Sequence, residues 1–305
     1  MQDPSGMVME VQHYSTKDGP GIRTTAFLVG CNLRCLWCAN PESMLSGEKV
    51  MHHGNLCRRC GACVAAAAPT GSVTLGADGI RIDRGACTNL DDLVDVCNYD
   101  AYERKGETML ASELARRLLR DEAFWFTSGG GVTFSGGECL LQPDFVAATS
   151  RILKDHGARV ALDTAGLWDI ERVDEALDLA DLVLYDIKAF DSGIHRACTG
   201  AGNERILSNA QALAQREMPM IVRLVVVPGM NDQPDDLRKR IDFVASLGGC
   251  VRQVDILKYH RLGVGKYRDL GMDYHLPDTK EPTDEDVAWA LDYCRGLGLK
   301  STVGG

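Results

Sequence analysis

The sequence predicts an α/β fold: a partial (β/α)6 barrel of the TIM type that carries a small inserted domain. Three observations predict it. Helical and extended segments alternate from about residue 107 to the end. One further strand-like run, "RTTAFLVG", comes before them. Between the two, residues 51–105 break the rhythm with clustered cysteines and glycine turns. Strands separated by helices pair in parallel, because each crossover returns the chain to the same end of the sheet. Six such units with curvature give an incomplete barrel; a flat doubly wound sheet is the alternative.

Each element has its own reason. "SELARRLLRDEAFW" is amphipathic at helical spacing, with Ser112 as its candidate N-cap. "GVTFS" reads as a short strand. "PDFVAATSRILKDHG" is a helix with Pro143 near its start and Gly157 past its end. The strand "ARVALDT" and the helix "IERVDEALDLA" follow, then the buried strand "DLVLYDIKA". Next come the helix "ERILSNAQALAQRE", the strand "MIVRLVVVPG" and the helix "PDDLRKRIDFVASLG". The strand "VRQVDILKYH" and the helix "TDEDVAWALDYCRGLG" complete the series. The expected division is 1–50 and 106–305 for the barrel and 51–105 for the insertion.

Composition sets limits. The chain has 305 residues, enough to bury a full core, with 45% hydrophobic and 25% charged residues. A net charge of −10 argues against nucleic acid as the main partner. No apolar run approaches ~18 residues, so no transmembrane helix and no membrane partner are expected. The opening "MQDPSGMVME" lacks a basic n-region and an apolar h-region. It is read as no signal peptide, with Met7 or Met9 as candidate natural starts. A cytoplasmic location is expected, where twelve cysteines serve as metal ligands or core rather than disulfides. Cys139, Cys198, Cys250 and Cys294 are scattered and read as small core residues.

The other eight cysteines fall in the first third of the chain. The insertion holds "CRRCGACVAAAAPTG", with Cys57, Cys60, Cys63 and then Ala68 before Pro69. Its second half, "CTNLDDLVDVCNYDA", has Cys87, Leu90, Leu93 and Cys97. Both halves echo the ferredoxin run C-x2-C-x2-C-x3-C-P, in which the fourth cysteine serves the other run's cluster. By that rule Cys57, Cys60, Cys63 and Cys97 make one complete 4Fe–4S site. The second site keeps only Cys87, with Leu90, Leu93 and Ala68 in place of ligands. One auxiliary cluster is therefore expected, with Leu90 and Leu93 as core. A four-cysteine zinc site is the competing reading.

The stretch "GCNLRCLWCANPES" places Cys31, Cys35 and Cys38 at C-x3-C-x2-C with no fourth cysteine beside them. This spacing resembles the radical S-adenosylmethionine (SAM) superfamily. There, three thiolates hold a 4Fe–4S cluster and the remaining iron takes the amino and carboxylate groups of SAM. More closely, the chain resembles the glycyl-radical-enzyme activating enzymes, the group that includes pyruvate formate-lyase activase. The resemblance rests on "STKDGPGIRTTAFLVGCNLRCLWCANPES", "GGGVTFSGGECLLQPDF", "LDTAG", "LVLYDIK", "VRLVVVPGMND" and "KYHRLGVGKY", which span almost the whole chain.

The resemblance implies roles. Gly136, Gly137 and Glu138 would form the edge that meets the methionyl ammonium, glycines letting backbone carbonyls approach. Asp163, Thr164, Asp186 and Lys188 would contact the methionyl group, the first three also a candidate monovalent cation. Lys188 and His260 would partner the carboxylate through charge-assisted hydrogen bonds. Arg223 and Val225 would line the adenosine pocket, and Trp37 and Asn40 would flank the cluster. Ala39 departs from the histidine of pyruvate formate-lyase activase. Asp18 would meet the incoming glycine loop. The implied activity is reductive cleavage of SAM to a 5′-deoxyadenosyl radical, which takes a hydrogen atom from a partner glycyl-radical enzyme of an anaerobe. Flavodoxin or ferredoxin would donate the electron, and a monomer is expected. Two other readings stand beside it: a radical SAM enzyme acting on a small molecule or peptide, and an electron-transfer ferredoxin fused to an inert barrel.

Overall fold

The computed structural model describes residues 3–47, 49–88 and 90–304. The first two residues of the opening stretch and the last residue of the 106–305 segment lie outside the described residues. In chain order the strands are β1 (Ser5–Ser15), β2 (Arg23–Leu28), β3 (Lys49–His52), β4 (Val73–Gly76), β5 (Gly79–Ile82), β6 (Tyr102–Lys105), β7 (Glu107–Leu110), β8 (Gly131–Gly136), β9 (Val160–Thr164), β10 (Leu182–Asp186), β11 (Met220–Val226), β12 (Val251–Lys258) and β13 (Ser301–Val303). The helices are α1 (Pro41–Met44), α2 (Ala62–Ala66), α3 (Asp92–Asp95), α4 (Ala111–Leu118), α5 (Glu122–Ser128), α6 (Pro143–Asp155), α7 (Ile170–Asp178), α8 (Ser192–Thr199), α9 (Glu204–Gln215), α10 (Pro234–Ser246), α11 (Val264–Asp269) and α12 (Asp284–Gly296).

Nine strands form one open sheet in the order β13-β12-β11-β10-β9-β8-β2-β1-β7. The six expected strands, β2 and β8 to β12, pair in parallel in sequence order. Their centres are buried and mostly apolar, as strands covered by crossover helices must be, with Thr24, Thr25, Thr133 and Asp255 as buried polar exceptions. A short β13 adds a seventh parallel strand beside β12. At the other edge β1 runs antiparallel to both β2 and β7. Among the described residues the sheet does not close, so it is an incomplete barrel and not an eight-fold one. One continuous core joins the sheet to α4, α6, α7, α9, α10 and α12. Cys139, Cys198, Cys250 and Cys294 are buried, and among the described residues no disulfide forms.

Two expectations are corrected. The helix expected over 112–125 breaks into α4, a 3-10 turn at Leu119–Asp121, and α5. Asp121 is drawn into the interior, where it accepts from the Thr24 hydroxyl and contacts His13. Ser112 is not the N-cap. It lies inside the first turn of α4, and its amide and hydroxyl both donate to Asp3. Asp3 thus does the capping from a distant position in the chain.

Within the insertion, β3 and β6 pair antiparallel with Lys49 opposite Lys105, and β4 and β5 form a hairpin. These elements surround a separate core of Val50, Cys63, Ala67, Val73, Cys87, Leu93, Ala101 and Tyr102. Leu93 is fully buried and Leu90 packs against it. Ala68 is exposed, so Ala67 and not Ala68 faces Cys87 and Leu93 in the core. The insertion meets the barrel at α11: His53 sits 2.9 Å from Glu103 and 3.0 Å from Asp269, and Arg84 donates to the Asp269 carbonyl.

Candidate active site

The loop after β2 is bent back by Gly30, whose φ of +102° favours glycine. The Gly30 and Cys31 amides donate to the carbonyls of Ser43 and Met44, so α1 closes the loop onto its own start. The Arg34 and Leu36 amides donate to Thr199 and Cys198 at 2.7 and 3.0 Å. These carbonyls end α8 and lack partners within the helix. Two helix ends thereby fix where Cys31, Cys35 and Cys38 stand.

All three cysteines line one cavity of about 210 Å³. Trp37, Asn40, Gly136, Gly137, Asp163, Thr164, Asp186 and Lys188 line it too, together with Ser135. The strand ends converge because β8, β9 and β10 are parallel neighbours. Burial pushes all three thiols up, Cys35 to about 12, so without a bound cation they stay neutral. Burial opposes the Lys188 charge, but Asp186 at 2.7 Å outweighs it and holds the ammonium charged. Arg223 behaves alike: burial opposes its charge, and Asp163, Asp186 and Asp18 outweigh it. Asp163 accepts from Arg223 at 3.1 Å and from the Ser135 hydroxyl at 2.7 Å.

Arg223, Val225 and His260 do not line that cavity. They line an adjoining one of about 660 Å³, and Trp37 and Ala39 border both. Glu138 lines neither. It is fully buried and accepts from the Thr164 hydroxyl at 2.8 Å and from the Ala165 and Leu140 amides. Burial pushes its pKa up to about 7. Its side chain thus braces the ends of β8 and β9, while Gly136 and Gly137 alone face the cavity. Asp18 also stands outside both, its carboxylate accepting from Ser15 and Thr25 at 2.6 and 2.7 Å.

The insertion holds a second thiol group. Cys57, Cys60, Cys63 and Cys97 line one small cavity of about 20 Å³, with Tyr99 and Tyr102. Cys87 does not line it and packs in the insertion core. The Tyr102 hydroxyl is buried beside Cys63. Among the described residues no three His, Cys, Asp or Glu side chains converge on one ion. A cubane cluster spreads its thiolates over separate irons and does not need that convergence. Three thiols facing a polar cavity fit a cluster with one corner left to a ligand, and four thiols around an apolar one fit a closed cluster.

Sequence reasoning missed Ser135, Glu42 and Lys266. Ser135 stands in the quoted "TFSGGE", next to the glycines, and could have been found there. Lys266 donates to Asn40 and to the buried Glu42 at 2.9 and 2.6 Å. More than two hundred residues separate these partners, so no local pattern announces them.

The Radical SAM superfamily matches residues 25–241. The chain is 37% identical over 292 residues to the choline trimethylamine-lyase activating enzyme of Oleidesulfovibrio alaskensis, covering 94% of each. It is 38% identical over 297 residues to the isethionate sulfite-lyase activating enzyme of Desulfovibrio desulfuricans, again covering 94% of each. The crystal structure of Streptococcus suis SuiB bound to a precursor peptide matches 90% of this chain and 46% of that one, at 13% identity and a TM-score of 0.54, a likeness of fold alone.

Proposed function

The chain belongs to the radical SAM superfamily and, within it, to the glycyl-radical-enzyme activating enzymes, and from that membership we propose how its residues divide the work. It is an oxidoreductase that uses a 4Fe–4S cluster and SAM to abstract a hydrogen atom from a glycine of a partner glycyl-radical enzyme. When bound, the cluster supplies the electron that breaks the S–C5′ bond of SAM, leaving methionine and a 5′-deoxyadenosyl radical.

Cys31, Cys35 and Cys38 hold that cluster. Lys188, kept charged by Asp186, presents a cation to the methionyl carboxylate. Gly136 and Gly137 offer backbone to the ammonium where a side chain would block it. Asp163 and Asp186 add negative charge on the same wall, and with Thr164 are the candidate ligands of a monovalent cation. Glu138 acts one step back by holding Thr164. Trp37 and Asn40 flank the cluster. Arg223, Val225 and His260 receive the adenosine in the adjoining cavity. Enclosure keeps water away from the radical and holds it near its target. The transfer breaks the glycine Cα–H bond and forms a C–H bond at C5′. Asp18, tied by its two hydroxyl bonds to the end of β1 and to β2, would steady the segment that meets the glycine loop. In the insertion, residues 51–105, Cys57, Cys60, Cys63 and Cys97 hold one auxiliary cluster. A flavodoxin or ferredoxin is the electron donor, and the enzyme works as a monomer.

The observation that carries this reading is the convergence of three thiols, and among the described residues no fourth, on a cavity that also holds Lys188 and the strand-end carboxylates. The test is anaerobic reconstitution with iron and sulfide, followed by dithionite and SAM with a glycyl-radical enzyme. The expected result is 5′-deoxyadenosine together with a glycyl radical in the partner's EPR spectrum. Release of 5′-deoxyadenosine with a small molecule or peptide, and never a glycyl radical, would overturn it.

A further inference from the structure

Tyr267 of α11 is 1% exposed, and its hydroxyl has no hydrogen-bond partner. A buried, unpaired hydroxyl is destabilising and calls for an explanation. Its surroundings supply one. The chain just before α11 presses on the cysteine loop, since a Cβ on Gly263 would collide with the Ala39 backbone. Lys266, the preceding residue, ties α11 to Asn40 and Glu42. The Tyr267 ring stands edge-on to Tyr274 at 5.0 Å, and Tyr274 packs in the cluster that contains Trp37 and Cys35. Burial and the nearby Cys38, Cys35 and Glu42 hold the phenol well above its usual pKa, so it stays a donor.

We propose that the Tyr267 hydroxyl donates a hydrogen bond to the cluster held by Cys31, Cys35 and Cys38, and thereby raises its reduction potential. This rests on the functional reading above. A donor aimed at cluster sulfur favours the reduced form, which carries one more negative charge. Glu42 is the rival acceptor. Its Oε1 already takes the Lys266 ammonium, and its Oε2 also lacks a partner, so the phenol does not bond it.

The test is Tyr267→Phe, which keeps the ring and deletes the donor. The variant should hold the same iron as the wild type. Poised at the wild-type midpoint, its reduced-to-oxidised ratio should fall up to about tenfold, or 59 mV for one electron. Tyr274→Phe removes a hydroxyl that Tyr259 already satisfies, and should leave the ratio unchanged. An unchanged ratio in a fully loaded Tyr267→Phe overturns the proposal, as does an equal fall in Tyr274→Phe. Should Tyr267→Phe fail to load iron, the wild type decides. On transfer to D2O its reduced cluster should gain a fast-exchanging deuteron coupling in pulsed EPR, and the lack of one overturns the proposal. Wild type that neither loads iron nor cleaves SAM would instead overturn the functional reading.

Discussion

At Glu138 burial and hydrogen bonding oppose each other. Two amides and a hydroxyl favour the carboxylate, desolvation favours the acid, and desolvation wins to the extent of a pKa near 7. Because the folded value lies above the ordinary 4.5, this residue's contribution to stability is complete below about pH 4.5. About 3 kcal/mol of it is lost as the pH rises to 7 and beyond. Chemical unfolding of the metal-free protein from pH 4.5 to 8 checks this. Glu138→Gln should flatten that slope while costing about 1–3 kcal/mol outright, since its amide would face an N–H donor. An equal slope in both proteins would contradict the assignment. The residue type was legible in "SGGE", but its direction was not. A glutamate beside two glycines reads as ligand-facing from sequence, and only the fold shows Thr164 and Ala165 waiting behind it.

Among the elements, the junction of β8 with the cysteine loop leaves no room for a side chain. A Cβ on Gly137 would collide with the carbonyl oxygens of Gly30 and Ser43, which are backbone and cannot turn aside. Gly137→Ala should cost about 1–3 kcal/mol and displace the loop, because Gly30 directly precedes Cys31. Iron content and thermal melting should fall together in this variant; full iron with an unshifted melt would contradict the packing. The six parallel strands were legible because each is a short apolar run flanked by amphipathic helices. The rest was not. In β1 only four of the eleven residues are buried and it pairs with its neighbours antiparallel, so its apolar signal is weak. The helix α8 is eight residues long, and "SGIHRACT" lacks a helical apolar stripe long enough to register. The helix α11 is shorter still, and its importance lies in distant contacts with Asn40, Glu42, His53 and Arg84. Asp3 capping α4 is likewise a contact across more than a hundred residues.

Across the whole molecule, two thiol groups sit in two separately packed regions joined at α11. Two clusters that can be removed one at a time are therefore expected. Wild-type protein should hold about eight irons, and Cys97→Ser about four, with the other cluster's EPR signal retained. About twelve irons would mean that Cys87 anchors a further cluster, despite Leu93 filling the core beside it. The central claim is narrower: the cavity lined by Cys31, Cys35 and Cys38 leaves one cluster corner for SAM. Pulsed EPR of the reduced protein with SAM carrying 15N in its amino group tests it directly. A 15N coupling to the reduced cluster is the predicted result. A fully loaded, reduced cluster that shows no such coupling at saturating SAM would contradict the account.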